Sequence, residues 1–160
     1  SPVKRFSSIP SIAEKIKACG CKFCWYIVGP YYDDDEYHKI VADTKAFELD
    51  GQVILLGGKT NPYPYIANAD LLVCTSLSES WSYTINEAKV LGIPPISTDF
   101  GAVYESIEDG VTGFISPIED IHSPIIRMIQ DKETFMQIKQ NVNKDGYDNV
   151  SILKKVNSLL

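Results

Sequence analysis

The sequence predicts an α/β fold, a parallel β-sheet with helices on both faces, and three observations carry that prediction. Short apolar runs alternate along the chain with segments whose apolar residues recur at helical spacing. One run, Ala69-Asp70-Leu71-Leu72-Val73-Cys74, is apolar enough to be buried on both faces, as strands of parallel sheets are, and it hands over to a segment with Ile85, Ala88, Val90 and Leu91 at helical spacing. At 160 residues, 44% hydrophobic and 22% charged, the chain suffices for one good core and has the composition of an ordinary soluble domain.

Taken in order, residues 3–18 place Ile9, Ile12, Ala13, Ile16 and Ala18 near helical spacing, with Pro10 expected to delay or kink the start. Residues 23–28 read as a strand closed by Gly29-Pro30. Tyr31-Tyr32-Asp33-Asp34-Asp35-Glu36 reads as a loop feeding a helix over residues 36–46, and its acids suit the positive end of that helix. Residues 52–56 form the next strand, and 61–67 a short helix or turn. After the 69–74 strand and its helix, residues 93–98 read as a strand with Pro94 and Pro95 at its start, where prolines are tolerated. A loop with a short helix over residues 99–105 leads to a last strand at 113–116. Ile125, Ile126, Met128, Ile129, Phe135 and Ile138, and then Ile152, Leu153, Val156, Leu159 and Leu160, read as closing helices.

Fifteen basic against 21 acidic residues give a net charge of -6, which argues against a polymeric nucleic-acid partner, since that requires many Lys and Arg on phosphates. No apolar run approaches the roughly 20 residues that span a bilayer, so a soluble, cytoplasmic protein is expected. Cys19-Gly20-Cys21-Lys22-Phe23-Cys24 resembles a metal or redox cluster, but zinc takes four ligands, the next thiol is Cys74, and His38 and His122 stand alone. No metal site is expected. Cys21 and Cys24 lead into Trp25-Tyr26-Ile27-Val28 and are expected to be reduced thiols that pack as small core residues. Gly57-Gly58-Lys59-Thr60 resembles the tail of a triphosphate-binding loop, yet Val53 stands where that loop needs a Gly, and Pro62 and Pro64 oppose the helix that must follow.

The chemistry concentrates around Glu79 and Glu87, which have seven residues between them and straddle the strand-to-helix junction. A helix start leaves backbone N–H groups unpaired, which suits a diphosphate. A carboxylate on each side of that position can face a vicinal diol and hold a ribose or a hexose. The joint pattern fits a nucleotide-sugar. Taken singly, each acid has a plainer reading, Glu79 as a helix cap and Glu87 as a solvated face residue.

Glu79-Ser80-Trp81-Ser82 followed by Asn86-Glu87-Ala88 resembles the donor-site signature of the retaining glycosyltransferases of family 4, glycosyl transferases group 1, which have the GT-B fold. Trp25-Tyr26-Ile27-Val28-Gly29-Pro30, Val53-Ile54-Leu55-Leu56-Gly57, Gly92-Ile93-Pro94-Pro95-Ile96-Ser97-Thr98 and Asp109-Gly110-Val111-Thr112-Gly113-Phe114 fall in the family's order. The resemblance runs over about residues 3–133 and is strong over 27–114. It implies a Rossmann-like C-terminal domain over residues 1–160, the donor half of a GT-B fold, with the first strand missing because no apolar strand precedes Val3. Lys4 matches a Lys that holds the diphosphate, whereas the Arg that precedes it in the family has no counterpart here. Trp81-Ser82 replaces the usual Phe-Gly, and loss of that Gly restricts how closely backbone approaches the sugar.

The resemblance further implies transfer of a sugar from UDP or GDP to a saccharide, lipid or other acceptor, with retention of configuration and with no metal or other cofactor. Glu79 and Lys4 would be the catalytic residues, the first holding the sugar's hydroxyls and the second the leaving diphosphate. Ser80, Trp81, Ser82, Tyr83 and Thr84 would line the donor, Glu87 would take the ribose diol, and Gly29, Gly58 and Lys59 would complete the site. For Gly58 and Lys59, a place beside the base and a plain turn stand as equal readings; Glu105 equally suits a contact over the donor or a helix cap. The acceptor would bind an N-terminal domain of the parent enzyme, which would also supply any peripheral membrane contact, so this chain alone is expected to bind nucleotide weakly and to transfer nothing. The unfilled strand position offers an edge for self-association. A non-catalytic Rossmann-like nucleotide-binding or interaction module, with Tyr31, Tyr32, Tyr63 and Tyr65 on its surface, is the alternative; no Gly-x-Gly-x-x-Gly loop favours a nicotinamide cofactor.

Overall fold

A computed structural model describes residues 3–30 and 34–144. Strands and helices alternate through it: α1 Ile9–Ala18, β1 Trp25–Val28, α2 Asp34–Ala46, β2 Val53–Gly57, α3 Tyr63–Ala67, β3 Leu72–Cys74, α4 Tyr83–Val90, β4 Pro95–Thr98, β5 Phe114–Ser116, α5 His122–Gln130 and α6 Lys132–Lys144. Short 3-10 turns cover Phe6–Ser8 and Gly101–Glu105. Pro10 occupies the first turn of α1, where its missing N–H leaves no bond broken, so it sets the helix start instead of kinking it. The second helix begins two residues earlier than expected, because Asp34, Asp35 and Glu36 all serve in its first turn. Tyr31, Tyr32 and the apolar residues expected as a helix over 152–160 lie outside the described residues.

The expected parallel sheet is present in two pieces. β1 pairs with β2, and β3, β4 and β5 form a second parallel sheet in that order. Parallel pairing in both pieces, with helices between successive strands, is the pattern of a doubly wound α/β fold. The division also corrects the reading of residues 69–74. β3 holds only three residues and is half-buried, because one flank lacks a neighbour, whereas β4, paired on both sides, is buried throughout.

Two clusters share Trp25 and so tie the sheets together. Ile12 and Ile16 of α1 meet Ile96 of β4, Ile125 and Met128 of α5, and Ile138 and Val142 of α6; Trp25 and Val73 pack against them. Ile9, Ala13, Ile27, Ile40, Leu49 and Val53 form the second cluster, again with Trp25 at its margin. A third, Ile85 with Phe100, Val103 and Ile107, seats α4 against the 3-10 turn after β4. Each such side chain contributes about 1.5–3 kcal/mol on full burial. All four cysteines are free, and Cys21 is buried as expected. Cys24 is not a core residue: it is exposed just before β1, its thiol 3.7 Å from the Gly51 carbonyl.

Gly113, just before β5, has no room for a side chain, since a Cβ there would overlap the Pro95 carbonyl of β4 and crowd Ile107. Gly113→Ala is expected to lower stability by about 1–3 kcal/mol through overpacking. Urea unfolding checks this, and an unchanged midpoint would show that β4 and β5 separate without strain.

Candidate functional site

The residues singled out in the sequence gather at the C-terminal ends of the strands, the usual ligand edge of open α/β sheets. After β1, the Gly29 N–H donates to the Gly57 carbonyl at 3.1 Å, and a Cβ on Gly58 would touch Pro30 at 3.5 Å, so the two loops lie side by side. Lys59 does not extend free: its ammonium lies 5.9 Å from the centre of the Tyr65 ring.

Residues 3–5 cross the end of β3. The Leu77 N–H donates to the Val3 carbonyl at 2.7 Å, the Thr75 hydroxyl to the Lys4 carbonyl at 2.7 Å, and the Arg5 guanidinium to the Thr75 and Ser76 carbonyls at 3.0 and 3.2 Å. These bonds hold Arg5 at a φ of 51°, a left-handed conformation uncommon outside Gly. With the backbone so fixed, Lys4 Nζ reaches Glu79 Oε1 at 2.5 Å. Ser76 Oγ donates to the same oxygen at 2.6 Å, and the Cys74 thiol lies 3.9 Å from it. Thr98 of β4 donates to the Ser76 carbonyl and braces the loop from below. Burial alone would raise the Glu79 pKa, but hydrogen bonds from Lys4, Ser76 and Ser82, with the charge of Lys4, outweigh it and hold the carboxyl below its usual range.

Ser82 stands at the N-cap of α4 yet makes no capping bond. Its hydroxyl is buried and lacks a hydrogen bond of normal geometry, although it lies close enough to Glu79 to favour the ionised form. The first-turn N–H groups of α4, beside exposed Tyr83 and Thr84, therefore have no side-chain cap. Ser80 and Trp81 are exposed on the approach. Asn86 Nδ2 donates to the Ser82 carbonyl and the Ser106 hydroxyl at 2.9 and 3.1 Å, and Lys89 donates to the Ser106 carbonyl at 2.7 Å, clamping α4 to the 3-10 turn. Glu105, at the end of that turn, is exposed.

Glu87 sits one helical turn beyond Tyr83 in different company. Tyr63, at the start of α3, donates its phenol proton to Glu87 Oε1 at 3.2 Å. An open groove of about 340 Å³ surrounds the pair, lined also by Tyr83, Asn86, Val90 and Leu91. The two carboxylates thus have separate partners, with the start of α4 between them. A larger depression of about 530 Å³, lined by Cys19, by residues of α5 and by Asp131, contains none of the residues assigned above to the donor site. Among the described residues, no three Cys, His, Asp or Glu side chains cluster as metal ligands.

Ser76, Asn86 and Arg5 were given no role from the sequence, and Tyr63 was placed among surface tyrosines flanking the donor cleft without a link to Glu87. Ser76 and Asn86 lie inside the motif segment and were within reach. Nothing in the spacing joins Tyr63 to Glu87, since 24 residues separate them and the pairing depends on how α3 packs.

The Glu79 shift carries a sign. A carboxyl whose folded pKa is lowered stabilises the fold above the ordinary carboxylate range, and that contribution is lost as pH falls through the lowered value. In Lys4→Met the Glu79 titration midpoint, followed by NMR, is expected to rise, and stability should fall more at neutral pH than in acid. An unmoved midpoint would show that Lys4 does not hold this carboxylate.

The sequence model for glycosyl transferases group 1 matches residues 2–145. N-acetyl-alpha-D-glucosaminyl L-malate synthase of Bacillus anthracis is 26% identical over 119 residues, 72% of this chain and 31% of that protein. Among solved structures, Anabaena HepE in complex with UDP superposes with a TM-score of 0.82 at 22% identity, over 99% of this chain and 45% of that one. The C-terminal domain of LpcC, a glycosyl transferase group 1 family protein of Francisella tularensis, superposes with a TM-score of 0.79 at 23% identity, over 89% of this chain and 77% of that one. The chain therefore spans 31% of the N-acetyl-alpha-D-glucosaminyl L-malate synthase and 45% of HepE. The fold is that of the C-terminal half of GT-B glycosyltransferases. With nine-tenths of its length inside the family match, the chain belongs to the glycosyl transferases group 1.

Proposed function

We propose that this chain is the donor-binding half of a retaining, family 4 glycosyltransferase that moves a sugar from a nucleoside diphosphate to an acceptor. The observation that carries the reading is the start of α4, which Ser82 does not cap, beside the Lys4–Glu79 pair. Unmet donors and a cation at one point favour an anion. As the glycosidic bond breaks, charge grows on the diphosphate, and groups fixed in advance stabilise it without reorganising. An ammonium has three protons, so Lys4 keeps one on Glu79 while others reach a phosphate oxygen. Glu79, kept ionised, accepts hydroxyls of the sugar and orients its reacting carbon. Glu87 accepts from the ribose, and backbone groups at Gly29 and Gly58 lie toward the base.

The separate surroundings of the two acids support separate tasks; a glycosidase pair would act across one bond at about 5–10 Å. In this reading Lys4 and the α4 amides provide the charge stabilisation, and no metal takes part. HepE was crystallised with UDP and with UDP-glucose, which supports a uridine nucleotide as donor. Retention rests on the likeness of the 79–88 segment to the family 4 signature. The acceptor site belongs to a second domain, in line with coverage of 45% of HepE. No described helix is long and apolar enough to cross a membrane. Four free thiols, two of them exposed, support a reducing cytoplasmic setting.

Calorimetric titration with UDP, UDP-glucose, GDP and nicotinamide dinucleotide tests the reading. A nucleoside diphosphate is expected to bind, Glu87→Ala is expected to weaken it by about 1–3 kcal/mol, and the chain alone should transfer no sugar. Preference for the dinucleotide, or no binding at all, would overturn the donor assignment; robust transfer would overturn the two-domain requirement.

A further inference from the structure

We propose that Tyr63 is a specificity residue for the pentose of the nucleotide: with Glu87 it forms a two-acceptor clamp that tells a ribose from a deoxyribose. The proposal rests on the donor-site reading above and extends it to a residue outside the Glu-x7-Glu segment.

Three observations meet at this point. First, the Tyr63 phenol donates to Glu87 Oε1, a contact that links the start of α3 to the middle of α4. The carboxylate acceptor, and then its charge, raise the pKa of the phenol, so Tyr63 keeps its proton and stays a donor at neutral pH. Second, the position of Tyr63 is built: Asn61 Oδ1 accepts its backbone N–H at 3.1 Å, in a turn that aims the ring at α4. Third, the groove around the pair exposes Tyr63, Tyr83, Val90 and Leu91 together, at 48%, 73%, 38% and 37% of their surface. A concave apolar and aromatic lining around one carboxylate has the character of a small-ligand site.

The hydrogen-bond inventory then fixes what the pair accepts. Once the phenol proton is spent on Glu87 Oε1, the Tyr63 oxygen has only lone pairs left, and Glu87 Oε2 lies outside that contact. Both remaining positions accept and neither donates. A vicinal diol supplies two neighbouring O–H donors, one for Glu87 and one for Tyr63. A deoxyribose supplies one, and leaves the other acceptor without a partner.

The experiment measures dissociation constants of UDP and 2′-deoxy-UDP, and of GDP and 2′-deoxy-GDP, for the 160-residue chain and for Tyr63→Phe. The wild-type chain is expected to favour the ribose form of its nucleotide by about tenfold, and Tyr63→Phe to reduce that preference to about threefold or less with the deoxy form little changed. Thermal unfolding without ligand should be the same for both proteins, since Tyr63 is half-exposed. Equal weakening of ribose and deoxyribose forms would overturn the clamp and make Tyr63 a packing residue, and an unchanged preference would overturn it too. Failure of the wild-type chain to bind any of the four nucleotides would instead overturn the donor-site reading, and the clamp with it.

Discussion

The ammonium of Lys4 and the carboxylate of Glu79 meet at 2.5 Å where three parts of the chain converge: the segment before α1, the end of β3 and the approach to α4. The contact needs a backbone that would not otherwise hold its course. Val3, Lys4 and Arg5 are bound to Thr75, Ser76 and Leu77 by four hydrogen bonds, and those bonds keep Arg5 in a left-handed conformation. Exposed ion pairs are worth little, but here the carboxylate is largely covered and takes a second bond from Ser76. The pair therefore acts mainly on position. It puts a cation and a fixed acceptor in front of the bare amides of α4.

The same region is where the sheet is interrupted. Open α/β sheets bind ligands beyond the C-terminal ends of their strands, and the Lys4–Glu79 pair lies just past the end of β3. Trp25 spans the two halves by packing on both clusters, so the sheets keep their relation through side chains instead of ladder bonds. The arrangement exposes more of β3 than a central strand would show, and it leaves residues 3–5 to form the wall that Lys4 stands on.

Much of this was legible in the residues. Period, Pro and Gly positions placed each described strand and helix to within a few residues, because short buried strands and amphipathic helices leave strong local patterns. Pro10 was read as delaying or kinking the helix start, and it does the first; a Pro in a first turn and a Pro that breaks a helix look alike until the start is known. Cys24 was taken for core on the strength of its apolar neighbours, yet the strand begins one residue later and the thiol falls outside it. Glu79, Lys4, Ser82 and Glu87 were singled out through their local segments. The link from Tyr63 to Glu87 and the use of Arg5 as a staple depend on tertiary packing alone, for which spacing carries no signal.

Amide and side-chain NMR shifts during titration of the labelled chain with UDP-glucose address the central claim most directly, because they locate the ligand as well as detect it. The account predicts saturable shifts centred on Lys4, Glu79 and residues 82–84, extending to Tyr63 and Glu87. Shifts confined to the depression beside Cys19 and α5, or none at any of these positions, would contradict it.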